Sequence, residues 1–249
     1  MKLIHKFKSL NFDNRLAKKV SYIILHYTAL PSIDESINFL CEEENKVSCH
    51  YIISQSGKIY NLVNEKKRAW HAGKSYWLEE NDLNSTSIGI ELDFSPNHNN
   101  NKFSKLLIDA LIELIFYLKK KYKIDKNKIL AHSDIAPYRK IDPGEKFPWK
   151  KLYNLNLAYN PKKIKTFDLK KIKVWFKKNK IYKTEKKILI MLNIIGYDIS
   201  KSINNKYYYK ALLNNYRNRF LQKVKSKNTD LKLINFIEIH TCNLLLTKV

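Results

Sequence analysis

Two short apolar, β-branched runs in this chain each stop at a histidine: Val20-Ser-Tyr-Ile-Ile-Leu-His26 and Ile129-Leu-Ala-His132. Runs of this length and composition read as buried strands. Ser87 to Phe94 is a third, and its alternation puts Ile88, Ile90 and Leu92 on one face and Gly89, Glu91 and Asp93 on the other. Ser104 to Tyr122 carries Leu107, Leu111, Leu114 and Leu118 at helical spacing, with Ala110 among them. Strands that alternate with helices restrict residues 1–153 to an α/β layered domain.

Local signals fill in the elements between. Pro31-Ser32 opens a helix that runs through Cys41, with Ser32 as N-cap and Glu35 three residues on. Tyr51 to Ser54 and Lys58 to Val63 flank Gln55-Ser56-Gly57, a hairpin with glycine at its turn. Composition shifts at residue 154. Residues 154–166 have Asn, Pro and Lys without an apolar period and read as a linker. Helical patterns follow at Leu169 to Lys178, Glu185 to Ile195, Tyr207 to Val224 and Leu231 to Leu246, with a break at Gly196-Tyr197-Asp198. Residues 167–249 thus read as a small all-α domain.

The 249 residues carry 47 basic and 23 acidic side chains, a net charge of +24. This excludes an acidic solvating chain and raises the question of an anionic partner. Lys, Asn and Ile are abundant together, a bias that AT-rich coding imposes whatever a protein does. No Gly-rich or aromatic RNA-binding signature accompanies the charge, so no specific nucleic-acid partner is expected. No stretch of 18 apolar residues is present, and no membrane span is expected. The basic start lacks the apolar core of a signal peptide. Cys41, Cys49 and Cys242 have no metal-binding spacing and suit a reducing compartment. The expected location is cytoplasmic; the alternative is periplasmic or secreted by a non-standard route.

The chemistry concentrates in His132-Ser-Asp-Ile-Ala-Pro-Tyr-Arg-Lys-Ile-Asp-Pro-Gly-Glu-Lys-Phe-Pro-Trp149. Pro137, Pro143 and Gly144 force a defined loop path that can return Asp142 towards His132. His26, at the end of its own strand, is the natural third member. Two imidazoles and a carboxylate suit a catalytic Zn2+, which keeps a fourth position open. Such a site also needs a base for water and a positive group for the oxyanion. Glu91, mid-strand among apolar residues, and Lys140, two residues before Asp142, are the candidates.

With these pieces in hand, the sequence resembles the zinc-dependent N-acetylmuramoyl-L-alanine amidases of the type 2 family, whose fold is shared with peptidoglycan-recognition proteins. The matching pieces are Ile-Leu-His26-Tyr-Thr, Ser-Cys-His50-Tyr, Ala-Trp70-His71-Ala-Gly73, Ser-Ile-Gly-Ile-Glu91 and the segment from His132 to Trp149, in the family's order. The resemblance implies a central mixed β-sheet flanked by helices, with His26, His132 and Asp142 as metal ligands. It implies Glu91 as acid/base and Lys140 as stabiliser of the tetrahedral intermediate. Trp70 and His71 would wall the substrate cleft, and Arg139 would pair with a stem-peptide carboxylate. His50 reads as a structural hydrogen bonder, and His5, His98 and His240 receive no role. Asn97 to Asn101 reads as an exposed loop. More faintly, Ile195 to Asp198, Ala211 to Phe220 and Asp230 to Leu246 resemble a helical peptidoglycan-binding module. The expected partner is peptidoglycan or a muropeptide, and oligomeric state is left open. A recognition protein of the same fold without catalysis is the alternative; the complete ligand set and Glu91 favour the enzyme.

Overall fold

The computed structural model describes residues 1–17, 19–98, 101–161, 166–222 and 229–246. The strands are β1 (Leu3–Ile4), β2 (Phe12–Asn14), β3 (Tyr22–Tyr27), β4 (Tyr51–Ile53), β5 (Ile59–Asn61), β6 (Lys67–Ala69), β7 (Ser87–Leu92) and β8 (Ile129–Ala131). The α-helices are α1 (Ile33–Cys41), α2 (Leu83–Thr86), α3 (Lys105–Tyr122), α4 (His132–Ile135), α5 (Trp149–Asn154), α6 (Thr166–Lys178), α7 (Thr184–Ile195), α8 (Lys206–Phe220) and α9 (Thr229–Leu246). Six strands form a mixed sheet in the order β1-β5-β4-β7-β3-β8, while β2 and β6 pair apart from it. In the six-stranded sheet β4 and β5 pair antiparallel as the expected hairpin, and every other pair is parallel.

β3 is an interior strand covered on both faces, which accounts for its unbroken apolar run. Its odd residues Ile23 and Leu25 join Ile88, Ile90 and Leu92 of β7 beneath α3. There they meet Leu107, Ile108, Leu111, Leu114, Ile115 and Leu118, all buried. Each such side chain contributes about 1.5–3 kcal/mol on full burial. Ser104 caps α3 by accepting from Leu107 N–H, and Ser32 caps α1 by accepting from Glu35 N–H.

The opposite face has two covers with a gap between them. Ile37 and Leu40 of α1 pack on Ile52 at one end. At the other, Tyr22 and Ile24 of β3 and Leu130 of β8 share one apolar core with Leu192, Leu212, Tyr216, Leu233 and Ile237 of α7, α8 and α9. The C-terminal helices thus close the second face of the sheet. Leu157 and Ala158, in the stretch that reads as a linker, are buried in the core under α3, and residues 162–165 of that stretch lie outside the described residues. Residues 99–100 of the Asn-rich run and 223–224 of the expected fourth helical pattern's predecessor also lie outside them. Tyr216 and Arg219, within the stretch compared with a wall-binding helix, are buried; Tyr216 Oη lies 2.9 Å from His240 Nδ1.

Candidate metal centre

The gap on the second face is where the histidines converge. Strand alternation that sends Ile23 and Leu25 under α3 sends His26 the other way, and β3–β7 pairing sets His26 beside Glu91. His132 stands one residue past β8, as the first residue of the four-residue α4. The loop after α4 returns as expected: Ser133 N–H donates to the Asp142 carbonyl at 3.0 Å. The three side chains meet. His26 Nδ1 is 2.9 Å from His132 Nδ1, and Asp142 Oδ2 is 3.0 Å from His132 Nδ1 and 3.3 Å from His26 Nδ1. All three residues are buried.

The hydrogen bonds behind these atoms decide which nitrogens carry protons. Ser87 Oγ–H donates to the Leu83 carbonyl, so the Ser87 oxygen accepts from His71 Nε2–H at 3.2 Å. His71 Nδ1 then accepts from His26 Nε2–H at 3.0 Å, which leaves a lone pair on His26 Nδ1. His132 Nε2–H donates to the Ala72 carbonyl at 3.2 Å, which turns His132 Nδ1 towards His26 and Asp142. With Nδ1 of both rings unprotonated, two imidazole lone pairs and a carboxylate oxygen would face one point. Such a set repels itself unless a cation sits among it. Nitrogen and oxygen ligands about 2.1 Å from a tetrahedral divalent ion stand about 3.4 Å apart. The 2.9–3.3 Å separations approach that arrangement.

Electrostatics point the same way. Burial, with the neighbouring His132, brings His26 down to about 4, so its ring is neutral, as a metal ligand must be. Burial alone would raise Asp142, but His132 and His26 outweigh it and hold the carboxyl well below its usual range. Glu91 lines the same cavity, of about 390 Å³, and its Oε2 is buried with no hydrogen-bond partner. Burial first, and the Asp142 charge second, push Glu91 up to about 8, against the opposing effect of Lys140. A cation held by the triad would draw it back down.

The other expected residues fall around this cavity with differing freedom. Trp70, His71, Arg139 and Lys140 all line it. His71 spends both ring nitrogens on His26 and Ser87, so it stands behind His26 as well as in the wall. Arg139 donates to the carbonyls of Ala72 and Lys74, stitching the loop to residues 72–74. Trp70 Nε1–H donates to Asp13 at 2.7 Å. His50 is a buried structural bonder that accepts from Gly89 N–H at 3.0 Å. Reading the sequence missed Ser87 and the Ala72 carbonyl. One signal was present: a Cβ on Gly89 would lie 2.4 Å from His71 Cγ, and a glycine inside an apolar strand marks such a close approach.

Comparison with known proteins bears on this geometry. Residues 16–145 match the family model described as N-acetylmuramoyl-L-alanine amidase. N-acetylmuramoyl-L-alanine amidase AmiD of Escherichia coli K12 is 38% identical over 153 residues, which are 54% of this chain and 52% of AmiD. The chain thus spans about half of AmiD's length in that match. 1,6-anhydro-N-acetylmuramyl-L-alanine amidase AmpD of Haemophilus influenzae is 34% identical over 165 residues, 59% of this chain and 88% of AmpD. The structure of E. coli AmiD with anhydro-N-acetylmuramic acid-L-Ala-D-γ-Glu-L-Lys superposes with a TM-score of 0.70 at 27% identity, covering 94% of this chain and 91% of AmiD. That of AmpDh3 from Pseudomonas aeruginosa with anhydromuramic pentapeptide gives 0.68 at 27%, covering 92% and 91%.

Proposed function

This chain belongs to the N-acetylmuramoyl-L-alanine amidase family, and from that premise we propose that it uses Zn2+ to hydrolyse the amide between the lactyl group of N-acetylmuramic acid, or its 1,6-anhydro form, and L-alanine of the stem peptide. The observation that carries the reading is the convergence of one donor atom each from His26, His132 and Asp142, beside an unpartnered Glu91 oxygen. These three residues hold the ion, and His71 and the Ala72 carbonyl orient the two imidazoles. A bound Zn2+ supplies Lewis acidity, polarising a carbonyl oxygen and making water easier to deprotonate.

The chain's own groups do the rest. Glu91 takes a proton from the attacking water on Oε2 and returns it to the departing amine of L-alanine. Burial raises its pKa and a bound cation lowers it again, which suits a group that must both accept and donate a proton near neutrality. The Lys140 ammonium, at the cavity wall, faces the negative charge that develops on the carbonyl oxygen. Trp70 supplies a flat apolar wall for the sugar or peptide.

A second cavity, of about 740 Å³, adjoins the first and shares Tyr27, Arg139, Lys140 and Ile141 with it. Its far side is Tyr207, Lys210 and Asn214 of α8. We place the continuation of the stem peptide or wall polymer there, which gives residues 167–249 a part in holding substrate. Among the described residues no helix is long and apolar enough to cross a membrane. Cys41, Cys49 and Cys242 form no disulfide, which agrees with work in a reducing compartment on recovered wall fragments. The test is to supply anhydromuropeptide and intact sacculi separately and weigh the products. The expected products are the free sugar and a stem peptide beginning at L-alanine. Cleavage within the peptide or the glycan, or no cleavage of either substrate, would overturn the reading.

A further inference from the structure

The segment from Ile129 to Phe147 carries two metal ligands and Lys140, and most of it, from Ala136 onward, is loop. Its carbonyl groups must still be satisfied. One face of α8, with a residue two positions beyond its end, does this. Asn215 and Arg219, four residues apart, lie on one side of the helix, and Gln222 follows two residues past its end. Asn215 Nδ2 donates to the carbonyls of Pro137 at 2.9 Å and Lys140 at 3.0 Å. Arg219 Nη2 donates to Ile129 at 2.8 Å. Gln222 Nε2 donates to Glu145 and Phe147, each at 2.7 Å.

The contacts bracket the metal ligands in sequence. Ile129 lies three residues before His132, Lys140 two before Asp142, and Glu145 three after it. The same helix also grips α4. Arg219 forms a buried ion pair with Asp134, whose Oδ2 accepts from Ala131 N–H at 2.6 Å and whose Oδ1 accepts from Tyr197 Oη–H at 2.6 Å. Asn215, Arg219 and Asp134 are all buried. An apolar side chain at 215 or 222 would pack as well; amides that reach two carbonyls each fix where the loop runs.

We propose that Asn215 and Gln222 are positioning residues: α8 splints the loop that holds His132, Lys140 and Asp142, and the C-terminal helices thereby complete the metal centre. This rests on the metal reading above. The test uses the full chain, with zinc affinity measured by competition against a chromophoric chelator and folding followed by thermal unfolding. Asn215→Ala and Gln222→Ala are each expected to bind zinc about tenfold more weakly than the parent chain. Each should also lower kcat more than it changes KM, because Lys140 rides on the same loop. Leu233→Ala, a cavity in α9 in the same core, supplies the control; it should lower Tm and leave zinc affinity unchanged. If both amide variants hold zinc as tightly as the parent, the inference is wrong. It is equally wrong if Leu233→Ala loosens zinc as much for the same loss of Tm. Should Asn215→Ala fail to fold, the half-buried Gln222 decides the matter alone. A parent chain that binds no zinc would instead sink the metal reading and not the splint.

Discussion

The two faces of the central sheet are built from the same strands and solve different problems. Beneath α3, Ile23, Leu25, Ile88, Ile90 and Leu92 meet a helix whose six inward residues are Leu or Ile, and the interface is dry and apolar. On the other face the same strands present His26, Ser87, Gly89 and Glu91, and the contacts above them are made by His71 and Asp142. Where C-terminal helices cover this second face, polar groups come with them: Asn215, Arg219 and Tyr197 reach under the apolar core to the loop and α4. One face therefore contributes stability through area. The other gathers a few polar atoms at one point.

That contrast predicts how each face fails. The largest effect belongs to Glu91→Gln, which keeps the shape and removes the base. Turnover should fall by about 10²- to 10⁴-fold with zinc still bound, seen as product formation against metal content. If activity survives, Glu91 is not the acid/base. Leu111→Ala, under α3, should cost about 2–5 kcal/mol in denaturant unfolding and leave zinc affinity untouched below the melting transition. A loss of zinc there would mean that the two faces are not separable. Ser87→Ala acts from behind the ligands, because without its oxygen nothing fixes the proton on His71 Nε2. Zinc affinity should fall by about tenfold while Tm of the metal-free chain changes little.

The smallest effect concerns the polar knot at the α3 edge, where Glu65 meets Tyr51, Lys121 and Tyr122. Burial would raise Glu65, but the hydrogen bonds from Lys121, Tyr122 and Tyr51 outweigh it and hold the carboxyl below its usual range. A depressed folded-state value gives stability that is present above the unfolded pKa, about 4.3, and lost as pH falls through the folded one. The stability gap between the parent chain and Glu65→Gln should therefore be full at pH 6 and shrink below about pH 4, as read by thermal unfolding. A gap that widens with acid would reverse the sign and refute the account of this knot.

The dry face was legible in the sequence because periodicity encodes it: Leu107, Leu111, Leu114 and Leu118 announce α3, and Ser104 and Ser32 announce their helices' starts. His26, His132 and Asp142 were legible for another reason. Strand ends and a proline-bracketed loop confine where such residues can go, and motif resemblance adds their order. The layer behind them was not legible. His71 and Ser87 read as a cleft wall and a strand's first residue, since the bond between them depends on a close approach that only Gly89 permits. Nor does spacing within α8 say that Asn215 faces carbonyls 75 and 78 residues earlier. Leu157 and Ala158 looked like linker because two apolar residues make no period, yet both are buried in the core under α3.

Zinc titration of the metal-free chain, followed by calorimetry, tests most directly whether three lone pairs converge here to hold an ion. One zinc per chain is expected, with binding lost in Asp142→Ala while the circular-dichroism spectrum of the fold is unchanged. A folded parent chain that takes up no zinc, or an Asp142→Ala variant that binds it as tightly as the parent, would contradict the account.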